Sequence, residues 1–402
     1  LDDVLTTGNL KNQPVLHLQK KNGEFIQRPL SGFNPASNVE DALFFDADAD
    51  GDLDLYLVCG GYHQYRRADK GLKDMLYLNR GGGSFEAAEG RLPAMFSNKT
   101  SICATDFEGD GDVDLFVGGG CIPGAYPLAD ESYLLINTGK GQYLNVLAGL
   151  FPELSRVGMV SDAEWSDLDG DGFEDLIIAG DFMPVRVYLN KQGKGLEEAT
   201  ESYFDKKLLG RWTSIFAADF DQDGDEDFIL GNFGQNTLLR ASDKEPLGLY
   251  FADFENKGGL DPVFTYHADG KVYPYASRYE MLQQIKGLER NHPTHESYAD
   301  AGIFDMFPES SLEQAGYLEV NTLSSVYLEN RNNRLLPSDL PTEAQFAPVY
   351  AIESGDFNRD GYMDLILAGN QSANRVRLGP VDANYGQLFL GDGKGSFSYQ
   401  PQ

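Results

Sequence analysis

Basic residues are in short supply: 32 Lys and Arg stand against 63 Asp and Glu, for a formal net charge of −31. A surface that negative repels phosphate, which sets nucleic acid aside as a partner. The clusters Lys20-Lys21 and Arg66-Arg67 are too small to reverse it. Cysteine is scarce. Cys59, Cys103 and Cys121 are odd in number and show no metal-ligand spacing, so disulfides do not hold this fold and all three read as small buried hydrophobes. No apolar run approaches the roughly 18 residues of a membrane span. A GxSxG elbow, a Walker-type glycine loop and a Rossmann fingerprint are all missing. The five histidines include His292-Pro-Thr-His295-Glu296, which departs from HExxH and carries Pro293 where a helix would have to run. It reads as a turn before a helix. No catalytic residue emerges.

What the chain has in excess is aspartate at fixed spacing. Asp46-Ala-Asp48-Ala-Asp50-Gly51-Asp52-Leu-Asp54 puts carboxylates at positions 1, 3, 5 and 9 of a nine-residue loop, with glycine at 6. A hard cation such as Ca²⁺ takes six to eight oxygens at about 2.3–2.6 Å, and glycine allows the sharp turn that converges them. Four more copies follow: Asp106, Glu108, Asp110 and Asp114; Asp167, Asp169, Asp171 and Asp175; Asp219, Asp221, Asp223 and Asp227; and Asp356, Asn358, Asp360 and Asp364. Position 7 would add the carbonyls of Asp52, Asp112, Phe173, Asp225 and Tyr362. About five structural Ca²⁺ sites are therefore expected, the second looser because Glu108 is longer than Asp. An EF-hand opens the same way but needs a bidentate Glu at position 12 and flanking helices. Position 12 is Leu57, Val117, Ile178, Leu230 and Leu367, and the runs LYLV, LFV, LIIA, FIL and LILA are buried strands by length and composition.

Hairpins run in step with the loops. VLHLQKKNGEFIQRP (15–29), MLYLNRGGGSFEAAE (75–89), YLLINTGKGQYLNVL (133–147), VYLNKQGKGLEEA (187–199), VYLENRNNRLLPS (326–338) and QLFLGDGKGSFSY (387–399) each turn on residues such as Asn22-Gly23 or Asp392-Gly393. Strand, loop, strand and hairpin make one four-stranded antiparallel unit. The closing aspartates Asp54, Asp114, Asp175 and Asp227 lie 60, 61 and 52 residues apart, the period of propeller blades. The expected fold is all-β, a seven-bladed β-propeller over residues 1–402 with DxDxDGxxD loops. Asp3, Asp54, Asp114, Asp175, Asp227, Asp261 and Asp364 would close its seven loops. Leu1–Gly8 aligns with the end of a loop and its strand, so blade one is expected to lack its first strand here, and the chain to be a piece of a longer protein or complex. Two stretches break the rhythm. The loop Asp253–Asp261 has Lys257 at position 5, where an ammonium would repel a metal; Lys257 is expected to pair with Asp253 or Asp261. Residues 277–318 lose strand character, with Met281, Leu282, Ile285 and Leu288 at helical spacing and short helices expected over 297–307 and 311–318. They read as a helical insertion that projects from one face and adds little to the blades, removable without unfolding them, its apolar residues packing on the ring or meeting a partner.

The run of loop, strand and glycine resembles the FG-GAP or VCBS repeat of integrin-α-type propellers. More narrowly, GGGCIPGAYPLADESYLL (118–135), GDFMPVRVYLN (180–190), LGNFGQNTLLRAS (230–242), DGKVYPYASRYEML (269–282) and EAQFAPVYAIESGDFNRDGYMDLILAGN (343–370) resemble the propeller part of bacterial ASPIC/UnbV, cartilage-acidic-protein-like surface proteins. The resemblance implies an extracellular or bacterial outer-membrane location, a link to nutrient uptake and no catalysis. The ASPIC/UnbV module itself is not evident. Function reads as a non-enzymatic, Ca²⁺-stabilised binding or assembly module for a surface protein or a glycan. The alternative is a propeller-type polysaccharide lyase or glycoside hydrolase, which needs a basic or tyrosine cluster that the sequence does not display. Tyr62-His-Gln-Tyr65-Arg66-Arg67 has the composition of an interface anchor and of any exposed loop alike. Trp212, beside Arg211, reads as core packing.

Overall fold

A computed structural model describes residues 3–372 and 379–401. The chain divides into two compact units: residues 1–124, 128–179 and 186–200, and residues 125–127, 180–185 and 201–402. Both are built from antiparallel sheets. The first unit holds four. One is three-stranded: β1 (Val4–Thr6), β2 (Val15–Gln19) and β3 (Phe25–Pro29). The next is β4 (Val39–Phe45), β5 (Asp54–Cys59), β6 (Met75–Asn79) and β7 (Phe85–Ala87). The third is β8 (Lys99–Thr105), β9 (Asp114–Gly119), β10 (Tyr133–Asn137) and β11 (Tyr143–Asn145). The fourth is β12 (Met159–Ser166), β13 (Asp175–Pro184), β14 (Arg186–Asn190) and β15 (Leu196–Glu198). In all four, neighbours in sequence are neighbours in the sheet.

In the second unit the end of β13 pairs with β16 (Leu209–Arg211). Strands β17 (Ser214–Ala218) and β18 (Asp227–Gly231) then open a sheet. Before it is finished, the chain builds another from β19 (Leu247–Ala252), β20 (Asp261–Ala268), β21 (Lys271–Pro274) and β22 (Gly316–Val320), in the order β21-β20-β19-β22. Only afterwards do β23 (Val326–Asn330) and β24 (Leu335–Asp339) complete the open sheet, with Phe228 opposite Leu328. The last sheet is β25 (Ala351–Gly355), β26 (Asp364–Ala368), β27 (Gln387–Gly391) and β28 (Phe397–Gln400). Among the described residues seven sheets match the seven closing aspartates in number. They are not seven in series, because the sheet of Asp261 is nested inside that of Asp227. Both edges of the β19–β20 pair are occupied, by β21 and β22, so the 326–338 hairpin cannot extend that sheet and pairs with β18 instead.

The runs after the first, second and fourth loops are continuous rather than alternating because the second strand is buried on both faces, whereas β26 leaves Ile366 exposed. Every residue of β5, β9 and β18 is buried. First strands pack side by side within a unit. Asp41 of β4 accepts from the Ile102 amide of β8 (3.0 Å), and Thr100 of β8 donates to the Val160 carbonyl of β12 (2.7 Å). Apolar cores fill the space between sheets, as where Phe45, Tyr56 and Leu76 meet Leu115, Tyr133 and Leu135. One ion pair is buried in the first unit. Lys99 lies 3.4 Å from Asp74 and donates to the carbonyls of Leu72 and Ser97, while Asp74 also accepts from the Tyr56 hydroxyl and the Cys59 amide. Every donor and acceptor is met, as burial of charge requires.

The inserted segment has helices at Arg278–Gln284, His295–Ala299, Ile303–Met306 and Glu309–Glu313. The helix expected over 311–318 stops early: Gly316–Val320 is β22, whose Tyr317 stacks on Tyr250 of β19 at 4.7 Å. Met281, Ile285, Leu288, Ile303 and Met306 are buried against Val263, with Tyr250 and Val272 packed around them. The helices therefore cover one face of the nested sheet. Among the described residues no helix is long and apolar enough to cross a membrane. Cys59 and Cys103 are buried and Cys121 half-buried, all three as free thiols.

Candidate metal centres

Each acidic loop is held by its own first and last carboxylates. At position 1, both oxygens turn inward. Asp46 accepts from the amides of Asp50 and Gly51 (3.2 and 2.9 Å), and Asp106, Asp167 and Asp356 make the same pair of bonds. Asp219 accepts from Gly224 and, instead of position 5, from Gln222. The turn this requires puts two residues in the left-handed region. Glycine serves at position 6, with φ between 89° and 100° at Gly51, Gly111, Gly172, Gly224 and Gly361. Position 4 is left-handed too, at Ala49, Gly109, Gly170, Gln222 and Arg359.

Position 9 works as a clamp. One oxygen of Asp54 accepts from the position 2 amide of Ala47 (2.9 Å), and the other from the amide of Asn79 at the end of β6 (2.7 Å). Asp114 holds Phe107 and Asn137 this way, Asp175 holds Leu168 and Asn190, Asp227 holds Phe220 and Asn330, and Asp364 holds Phe357 and Gly391. Asp3 accepts from Gln19, the last residue of β2, at 2.7 Å. That is the same half of the clamp, in the place the alignment gives it. A further latch went unread in the sequence. Asn137 donates to the Ala47 carbonyl (2.9 Å) and Asn190 to the Phe107 carbonyl (3.1 Å), tying each loop to the next sheet. The asparagine that ends LIN and the second YLN carries the latch, whereas Asn79, which ends the first YLN, donates to the Leu53 carbonyl of its own loop.

Ligand atoms converge in three loops. Those of Asp46, Asp48 and Asp50, those of Asp167, Asp169 and Asp175, and those of Asp219, Asp221 and Asp227 lie within 4.8 Å of one another. The second and fifth loops have the same backbone, but Asp106, Glu108, Asp110 and Asp114 form no such group, and Asn358 donates to Asp360 (2.8 Å). In all five, the position 5 carboxylate accepts from the amide of Asp52, Asp112, Phe173, Asp225 or Tyr362. Burial pushes the carboxyls of Asp114 and Asp175 up to about 7 and that of Asp227 to about 6, with neighbouring carboxylates adding to the effect and amide bonds opposing it. In the first loop one oxygen of Asp48 and one of Asp52 are buried with no hydrogen-bond partner. Like charges crowded around unpartnered buried oxygens fit a divalent cation, and only oxygens are offered, which suits Ca²⁺.

The sixth loop has the same backbone. Asp253 accepts from Lys257 and Gly258, Asp261 accepts from Phe254, and Asn256 and Gly258 are left-handed. The Lys257 ammonium, however, pairs with Glu255 and donates to the Gln284 carbonyl, rather than pairing with Asp253 or Asp261 as the sequence suggests. Glu255 also accepts from the Gly287 amide. Positions 3 and 5 thus tie the helical insertion to the nested sheet.

Among the other sequence candidates, His292, Tyr65 and Trp212 are structural. His292 is buried with Nδ1 against the Ser297 carbonyl, and Thr294 caps the helix that follows. Tyr65 is buried and donates to the Ala36 carbonyl, while His63, Gln64, Arg66 and Arg67 are exposed. Trp212 is buried.

Residues 167–230, from the start of the third loop into β18, match the model of the FG-GAP-like repeat. Over 174 residues the chain is 29% identical to integrin alpha-4 of Xenopus laevis, which is 39% of this chain and 16% of that protein. The chain thus spans less than a fifth of that curated relative. Among solved structures, the V. cholerae biofilm matrix protein Bap1 aligns with all of this chain and 67% of its own, at 10% identity and a TM-score of 0.37.

Proposed function

We propose that this chain, which carries an FG-GAP-like repeat and belongs with integrin-like sequences, is a Ca²⁺-stabilised propeller module that binds a partner at the cell surface. In this reading six serial sheets are blades and the nested sheet with its helices is an appendage to one of them. The five loops hold structural Ca²⁺. Asp46, Asp48, Asp50 and Asp54 with the Asp52 carbonyl are the ligands of the first loop, and the equivalent residues serve in the other four. Lys257 keeps the sixth loop free of metal. The observation that carries the reading is the first loop, where converging carboxylates hold buried oxygens with no partner. The location is extracellular, at a bacterial outer-membrane surface. Free Ca²⁺ is high enough there to fill such sites, and the partner is another surface protein or a glycan, within a nutrient-uptake assembly. The module is not an enzyme.

Affinity capture from native membranes in Ca²⁺, against capture in chelator, tests this. A stoichiometric surface protein or glycan retained only with Ca²⁺ supports the reading. Turnover of a polysaccharide by the purified chain would replace it with the hydrolytic alternative.

A further inference from the structure

A pocket of about 340 Å³ opens within the second unit. It is made where β13 meets β16. Asp181 lies opposite Arg211 in the ladder, and a bulge follows between Asp181 and Met183. At that bulge Phe182 takes φ 54°, a conformation bulky side chains rarely accept. Such strain persists only where the surroundings enforce it, and it gathers at binding sites. Here it aims the Phe182 ring at the Arg211 guanidinium (5.6 Å) and edge-on to Phe264 (5.7 Å). Phe233 lies 5.0 Å from that guanidinium.

The charged groups of the pocket already have partners, Glu280 accepting from the amide and hydroxyl of Ser277. Arg211 donates through Nε and Nη2 to the two oxygens of Asp181 (2.8 and 3.4 Å), and Tyr126 donates to Asp181 as well. Glu280 adds a second carboxylate to the lining. An anionic ligand finds no uncompensated positive charge. A cationic one meets the Arg211 guanidinium itself, which lies over one face of Phe182 and one of Phe233. The polar capacity left is neutral and directional. Among the described residues Arg211 Nη1 donates to nothing, and the Oε1 atoms of Gln371 and Gln284 accept nothing; that of Gln371 is buried. The volume is at the low end of the roughly 300–1,000 Å³ usual for small-molecule sites.

From this geometry we propose that the pocket binds a neutral pyranose, one or two rings in size. Aromatic rings take the apolar face of the sugar, and Arg211, Gln284 and Gln371 bond its hydroxyls. The inference rests on the reading of the chain as a surface binding module and names the glycan branch of it.

The test is calorimetry on the full Ca²⁺-loaded chain with glucose, galactose, mannose and their neutral disaccharides, and with uronic acid and amino-sugar counterparts. A neutral-oligosaccharide array separates a free sugar from a glycan end. One neutral sugar is expected to bind one-to-one, and to be weakened about tenfold by Phe233→Ala, the scale of one aromatic contact. Gln284→Ala, at a half-buried helical position, loses one hydrogen bond to the Pro262 carbonyl and should still fold; it should weaken binding several-fold, and decides the matter if Phe233→Ala does not fold. Preference for the charged counterparts, or neutral binding unchanged in the folded variants, overturns the assignment of this pocket. No neutral binding at all, with Ca²⁺-dependent capture of a surface protein intact, overturns the pyranose while the binding-module reading survives. Loss of both removes the reading itself.

Discussion

A position 9 aspartate and a position 5 aspartate look equivalent in sequence, yet they carry different burdens. Asp175 is fully buried and accepts from the amides of Leu168 and Asn190; Asp171 is exposed and accepts from Phe173. Replacing Asp175 with alanine strands two buried amides, at about 1–3 kcal/mol each. Asp175→Ala should therefore lower the urea midpoint even in chelator. Asp171→Ala should matter only when Ca²⁺ is present. Equal losses in chelator would remove the clamp. A second residue tests burial through pH. Desolvation between β4 and β8 pushes the Asp41 carboxyl up to about 6, against the amide bonds of Ala42 and Ile102 that lower it. A carboxyl raised on folding binds more protons in the native state, so its contribution is full below the unfolded value near 4 and is lost as pH rises through about 6. With Ca²⁺ saturating, wild-type stability should fall relative to Asp41→Asn between about pH 4 and 6, on the order of 2 kcal/mol. A pH-independent difference would mean that Asp41 is not desolvated as the structure has it.

At the scale of elements, the loops were legible and the connectivity was not. Ligand geometry constrains spacing residue by residue, so five loops, the strands after them and the hairpins beyond can all be read from the chain. The β1–β2 ladder, with Val4 opposite His17 and Asp3 bonded to Gln19, also follows from local alignment. Which edge a hairpin joins is a non-local choice. Nothing local in VYLENRNNRLLPS says that it skips ninety residues to pair with β18. Nor does a pocket announce itself when a bulge creates it. Asp181, Phe182 and Arg211 are ordinary letters until β13 and β16 meet. The helical segment is a case where the structure reverses an expectation. Read as a projection, residues 277–318 look removable. Observed, they bury Met281, Ile285, Leu288 and Ile303 on the nested sheet and supply edge strand β22. Burying side chains of this size contributes about 1.5–3 kcal/mol each. Deletion with a Gly/Ser bridge should therefore give insoluble protein, scored by the soluble fraction on expression. A soluble, cooperatively melting product would show the nested sheet to be self-sufficient.

At the scale of the whole molecule, the acid that builds the loops must also be tolerated by the fold. The chain carries −31 formal charges, and its closing aspartates are buried beside other carboxylates. Self-repulsion of that size opposes the compact state. Five bound Ca²⁺ ions, two charges each, would bring −31 to about −21 and place the compensation where the density is highest. Each site filled at about 100 times its Kd adds roughly 2.7 kcal/mol, provided the unfolded chain does not bind, and net stabilities are only about 5–15 kcal/mol. Chelation should lower Tm steeply. The two origins of that loss respond differently to salt. Screening acts over about 10 Å at 0.1 M and shrinks to about 3 Å at 1 M, so NaCl relieves diffuse repulsion, yet Na⁺ cannot replace a divalent ion at converging carboxylates. In chelator, Tm should rise with NaCl without reaching the Ca²⁺-loaded value, and the Ca²⁺-loaded protein should respond less. Calorimetric melts across a NaCl series, with Ca²⁺ and with chelator, measure both slopes. Full recovery by NaCl alone would reduce the loops to acidic turns whose only burden is net charge, and an unchanged Tm on chelation would mean they hold no structural metal.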